Sequence, residues 1–159
     1  MVRAMRAKRV SAKKFLEMVR DGVALRIIDF RGDYSLAIPG SIPTWFDPKI
    51  FYADEGMVQD MLGVAFRERQ SLLLVCEHGH LSVEAARYFV EKNPGSATEI
   101  WVLKGGWQAY RDEITRLTRR FRNGSRFQAE LTSLETAVER WRYVVREILA
   151  RRSIWQRLF

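Results

Sequence analysis

Among 159 residues there is a single cysteine, and there are only two histidines and four prolines. One cysteine rules out an intramolecular disulfide and fits a reducing compartment. No apolar run approaches the roughly 20 residues that span a bilayer. The basic start, Met1 to Val10, is not followed by the apolar segment of a secretory signal. The expectation is a soluble, cytoplasmic protein. Internal repeats and low-complexity segments are also missing. A hydrophobic content of 47% excludes a disordered chain and is enough for one core with an appendage.

The net charge of +8 is unevenly placed. Residues 1–110 are nearly balanced, with 15 basic and 13 acidic side chains, whereas residues 111–159 carry 12 arginines against 6 acids. A basic tail can attract nucleic acid, anionic lipid or an acidic partner. The arginines read first as a solvated helix face, which leaves nucleic acid and membrane surfaces as the weaker alternatives.

What is present centres on residues 71–90. Leu72, Leu73, Leu74 and Val75 run without alternation, as a strand buried on both faces of a parallel sheet does. From Ser82 the spacing of Val83, Ala86, Phe89 and Val90 predicts a helix closed by Asn93-Pro94-Gly95. Between strand and helix lie Cys76 and both histidines, His78 and His80. A thiol on such a loop faces converging backbone N–H groups and the positive end of the helix dipole, which stabilise a thiolate or a persulfide anion. Cys76 is therefore the candidate nucleophile. Glu77 adds nearby negative charge and is expected to point outward. Cys76, His78 and His80 do not make a metal site, because no second cysteine or third histidine completes it. The histidines are read instead as solvated side chains, or as proton carriers and anion contacts.

The rest alternates strand and helix. Ser11 caps a helix through Phe15, Leu16 and Val19 that stops at Gly22. Val23 to Asp29 reads as a strand, and Gly32, Pro39, Gly40 and Pro43 punctuate a loop. Trp45, Phe46, Ile50, Phe51 and Tyr52 form an apolar cluster of unassigned structure. Met57 to Phe66 reads as a short helix, broken or bent near Gly63. Glu99 to Leu103 predicts a strand, Gly105-Gly106 a tight turn, and Trp107 to Leu117 a helix whose aromatic residues are core. The fold class is α/β with a parallel sheet. Asp29, Cys76 and Lys104 each end a strand, so they should share the carboxyl edge where such sheets bind ligands. Asp29 and Arg31 are read as a structural pair.

Asn123-Gly124-Ser125 breaks the pattern. Phe127, Leu131, Leu134, Val138, Trp141, Val145 and Ile148 then recur at 4-3 spacing, a heptad stripe on one amphipathic helix. The helix either pairs with a second copy through residues 127–148 or folds back onto its own domain. The division is thus 1–117 for the domain and 118–159 for a basic, heptad-bearing extension.

Three segments resemble the rhodanese-like domain over residues 10–115. The first is Asp29-Phe30-Arg31 with Asp33-Tyr34 and Ile38-Pro39-Gly40-Ser41. The second is Val75-Cys76 with Gly79, Ser82 and Ala85-Ala86, and the third is Val102-Leu103-Lys104-Gly105-Gly106-Trp107 with Ala109-Tyr110. The resemblance implies a doubly wound parallel sheet with flanking helices. It also implies a sulfurtransferase in which Cys76 takes a sulfane sulfur from a donor, holds it as a persulfide and passes it to a thiol or protein acceptor, with no cofactor. The amides of Glu77, His78, Gly79, His80 and Leu81 would cradle the outer sulfur. Leu81 stands where the family often has arginine, and the stretch from Asp29 to Gly40 is shorter than usual. Thiosulfate is therefore expected to be a poor donor, with Arg31 and Lys104 the candidates for a replacement charge. Two rival readings remain. One is phosphatase or arsenate-reductase chemistry, which Leu81 disfavours. The other is a catalytically idle binding module that recruits a partner through its basic helix.

Overall fold

The computed structural model describes residues 7–31, 36–44, 55–92, 98–121, 133–134 and 137–150. In chain order the elements are β1 (Lys8–Val10), α1 (Ala12–Arg20), β2 (Leu25–Asp29), β3 (Ile42–Pro43), α2 (Glu55–Arg67), β4 (Ser71–Val75), α3 (His80–Lys92), β5 (Ile100–Leu103), α4 (Gly106–Phe121) and α5 (Ala137–Ala150). The strands form one sheet in the order β1-β5-β4-β2-β3, and every pairing is parallel.

β4 lacks alternation because both of its faces are covered. Leu72 and Leu74 pack with Ile28, Val102 and the α2 and α3 residues Val58, Leu62, Ala85 and Phe89. Leu73 and Val75 pack on the opposite face with Phe15 and Leu16 of α1 and with Tyr110, Ile114 and Leu117 of α4. This is the doubly wound α/β arrangement, with two cores sharing one sheet.

Local signals account for the elements around it. Ser11 accepts the Lys14 N–H at 3.1 Å, the hydrogen bond of an N-cap, and Phe15, Leu16 and Met18 bury the inner face of α1. α2 runs through Gly63 as one helix, so of the break or bend expected there the break does not occur. Two elements carry almost no sequence signal. β1 is three residues on the sheet edge, and β3 is two residues ending in Pro43, placed on the other edge where a missing N–H is tolerated.

The C-terminal stripe is divided. Leu134 is not helical, its carbonyl accepts the Nε–H of Arg140 at 3.1 Å, and α5 begins only at Ala137. One uninterrupted helix from Phe127 to Ile148 is therefore corrected. The spacing of apolar residues does not by itself register where the backbone leaves the helix. Trp141 packs tilted on Trp107 and edge-on to Tyr110, with centroids 6.3 and 6.2 Å apart, and Val144 and Val145 are buried in the α1–α4 core. These positions of α5 are used within the chain. Phe127, Leu131, the Trp45–Tyr52 cluster, Asp33-Tyr34, Asn93-Pro94-Gly95 and Asn123-Gly124-Ser125 lie outside the described residues.

Tyr110 is fully buried between Phe15 and Trp141, and its hydroxyl has no hydrogen-bond partner among the described residues. Burial holds its ionisation above the normal phenol range. The folded state thus retains a proton that the unfolded chain loses above about pH 10. Stability should fall as pH rises past that point, with a slope approaching about 1.4 kcal/mol per pH unit from this group. Tyr110→Phe removes an unpaired buried hydroxyl, so urea unfolding at pH 7 should show no loss and up to about 1 kcal/mol of gain. The variant should also lose less stability than the parent between pH 10 and 11.

Candidate active site

The sheet register brings the strand ends together. Asp29 lies opposite Val75, the Phe30 N–H donates to the Val75 carbonyl at 2.8 Å, and Leu74 pairs with Val102. Asp29, Cys76 and Lys104 consequently follow the carboxyl ends of three adjacent strands, β2, β4 and β5.

Between β4 and α3 the chain turns within Cys76 to Gly79, and α3 starts at His80, two residues before the start that the sequence suggests. The first turn of any helix has N–H groups without intrahelical acceptors. Here the acceptor is sulfur. Cys76 Sγ receives the Gly79 N–H at 3.1 Å and the Ser82 N–H at 3.3 Å. These are the residue before the helix and the third residue within it, and the latter is a donor that a capping side chain serves. The thiol in turn donates to Ser82 Oγ at 3.3 Å, and both residues are buried. A hydroxyl rotates, so Ser82 can accept from a thiol and donate to an anionic sulfur without moving its heavy atoms. The arrangement stabilises negative charge on sulfur through two fixed amides, one hydroxyl and a helix dipole.

The back of the loop is held by α4. The Trp107 N–H donates to the Cys76 carbonyl at 2.8 Å, and the Gln108 N–H donates to the Glu77 carbonyl at 3.1 Å. The Glu77 side chain is turned the same way and accepts from Gln108 Nε2 at 2.6 Å. The Gly105-Gly106 turn permits this approach. Gly106 sits at φ +64°, and a Cβ there would overlap the Cys76 carbonyl, Gly79 N (2.7 Å) and Glu77 C (2.8 Å). What reads in sequence as a tight turn is the surface on which the cysteine loop rests.

Asp29 and Arg31 fasten the third side. Asp29 Oδ1 accepts the Arg31 backbone N–H at 2.9 Å, and its carboxylate receives Arg31 Nε and Nη2 at 3.0–3.2 Å. The guanidinium lies 4.4 Å from the centroid of the Trp107 ring, whose Nε1–H reaches the Leu36 carbonyl at 2.9 Å. The Arg31 side chain is 3% exposed. Its charge is committed to Asp29, which corrects its candidacy as a charge for substrate.

Lys104, in contrast, is exposed. With Arg9, His78, His80, Gly79 and Val83 it lines a cavity of about 250 Å³ beside the loop. Leu81 is 43% exposed, so an apolar side chain stands at the sixth loop position. Arg9 was not singled out by the sequence, because a three-residue edge strand in a basic terminus gives no periodicity to read.

A family model described as a rhodanese-like domain matches residues 11–113. Among solved structures, the chain is similar to a rhodanese-like domain protein from Staphylococcus aureus at 18% identity, covering 65% of this chain and 90% of that one with a TM-score of 0.46. A rhodanese-related protein from Thermoplasma volcanium aligns at 19% identity over 69% and 93% of the two chains, with a TM-score of 0.47. A protein of unknown function from Rhodopseudomonas palustris, described as a possible tyrosine phosphatase, aligns at 17% identity over 67% and 81%, with a TM-score of 0.47. No curated protein matches the chain.

The support that α4 gives the loop can be measured with a matched pair. Gly22 also has positive φ, +74°, but a Cβ there meets nothing within 4 Å. Gly22→Ala should cost only the backbone term, about 1–2 kcal/mol in urea unfolding. Gly106→Ala adds displacement of the loop and should cost at least about 2 kcal/mol more. It should also slow alkylation of Cys76 by iodoacetamide, which Gly22→Ala leaves unchanged.

Proposed function

The chain belongs to the rhodanese-like domain family, and from that premise we propose that it is a sulfurtransferase that carries sulfane sulfur as a persulfide on Cys76. The observation that carries this reading is the pair of backbone amides, Gly79 and Ser82, donating to Cys76 Sγ at the N-terminus of α3. They are preorganised for a sulfur anion and need no rearrangement as charge develops.

The chemistry is a double displacement. The Cys76 thiolate attacks the outer sulfur of a donor R–S–SH. A bond forms between Sγ and that sulfur, the bond to the donor's inner sulfur breaks, and the donor leaves as a thiolate with the bonding pair. An acceptor thiolate then attacks the outer sulfur of the enzyme persulfide and Cys76 leaves as thiolate. No net oxidation occurs, because a zero-valent sulfur is exchanged between thiols. The rotating hydroxyl of Ser82 and the loop amides favour the anion at each stage.

Leu81 shapes the donor preference. A dianion as small as thiosulfate carries its charge next to the transferred sulfur, and an exposed leucine offers it no counter-charge. A low-molecular-weight persulfide has less need of one. Chemistry on tetrahedral oxyanions would require the same missing cation, which weighs against a phosphatase reading.

Turnover to a thiol acceptor should be faster from a persulfide donor than from thiosulfate, and Cys76→Ser should abolish both. Leu81→Arg should lower the KM for thiosulfate roughly tenfold or more, since a charge-assisted hydrogen bond contributes about 1.5–3 kcal/mol. Wild type that transfers no sulfur from any donor would leave the idle binding module as the reading. A wild-type thiosulfate KM as low as that of Leu81→Arg would place the missing charge elsewhere.

A further inference from the structure

The cavity beside the cysteine loop has an unusual lining for a protein with 19 acids in its sequence. β1 contributes Arg9, the end of β5 contributes Lys104, and the loop and the start of α3 contribute His78 and His80. No carboxylate is among the described lining residues, and neither Arg9 nor Lys104 is ion-paired among the described residues. Glu84, next to Val83 on α3, is exposed and does not line the cavity, and two further acids close in sequence are engaged elsewhere. Glu77 is bonded to Gln108, and Glu99 is paired with Lys8 toward the other end of the β1–β5 ladder. Two uncompensated cations converging on one concave site raise the local concentration of anions and favour an anionic occupant.

The position of the cavity says which part of a substrate it would hold. Gly79 is a shared wall, since it lines the cavity while its N–H is bonded to Cys76 Sγ. Cys76 does not line the cavity. An anionic group bound there lies across the loop from the reacting sulfur, so a substrate that occupies both places is longer than thiosulfate.

Resting on the sulfurtransferase reading, we propose that Arg9 and Lys104, with His78 and His80 as further hydrogen-bond donors, form a subsite for the carboxylate of a small thiol or its persulfide. The sulfur of that substrate enters the loop, and its carboxylate is held a few bonds away. This subsite takes over the charge recognition that Leu81 cannot supply, at a distance that selects carboxylate-bearing persulfides over thiosulfate.

The test uses the full chain carrying Cys76→Ser, so that binding is read without sulfur transfer. The ring signals of His78 and His80, the only histidines, are followed by NMR during titration with 3-mercaptopropionate and with its neutral counterpart 2-mercaptoethanol. Saturable shifts are expected with the carboxylate and none with the neutral thiol. Adding Arg9→Ala and Lys104→Ala, both exposed positions, should raise the apparent Kd at least tenfold. Absence of saturable shifts, equal binding of the neutral thiol, or undiminished affinity in the Arg9→Ala/Lys104→Ala protein would overturn the subsite. Binding as expected in a protein whose Cys76 form transfers no sulfur would uphold the subsite and reject the sulfurtransferase reading instead.

Discussion

The two hydrogen bonds from the start of α4 to the carbonyls of Cys76 and Glu77 are the constraint on which the rest of the site depends. A short loop has as many N–H groups as carbonyls, and the two kinds cannot point the same way. By taking the carbonyls, Trp107 N–H and Gln108 N–H leave the other side of the loop free to direct the amides of Gly79 and Ser82 at sulfur. One helix terminus thus orders the acceptors while another, that of α3, supplies donors. Each satisfies groups that its own helix leaves unpaired. The thiol acts as the cap of α3, which couples the chemistry of Cys76 to the folding of the helix behind it.

The approach of α4 is secured from a second direction by Asp29, Arg31 and Trp107. A buried ion pair gives little net stability against an apolar replacement, but loss of one partner leaves a buried charge at a cost of about 3–5 kcal/mol. Its effect here is positional. The pair fixes the end of β2, and the guanidinium lies on the indole that opens α4. Trp141 of α5 packs on the same indole, so the C-terminal helix supports the site through α4.

Much of this was legible in the chain. The unalternating run from Leu72 to Val75, followed by a cysteine and a helical spacing, specifies a central strand and the loop after it. Three polar strand ends placed Asp29, Cys76 and Lys104 on one edge before any register was known. The failures have physical causes. The helical spacing became readable only at Ser82, but the helix begins earlier at His80, and the Ser82 N–H and hydroxyl are engaged by sulfur. Asp29 and Arg31 were legible as a structural pair, but the sequence does not show that the guanidinium is buried against the Trp107 ring, which takes it out of reach as a charge for substrate. β1 is too short to carry a pattern, and with it the contribution of Arg9 was invisible. The 4-3 stripe was real as a spacing, yet spacing alone does not register that Leu134 leaves the helix.

The central claim is that the loop holds sulfur on Cys76, and intact-mass measurement tests it most directly. After incubation with a low-molecular-weight persulfide and removal of excess donor, the protein should gain one sulfur atom, lose it on treatment with a thiol reductant, and gain none as Cys76→Ser. A native chain that never gains the sulfur, or a Cys76→Ser chain that gains it equally, would contradict the account.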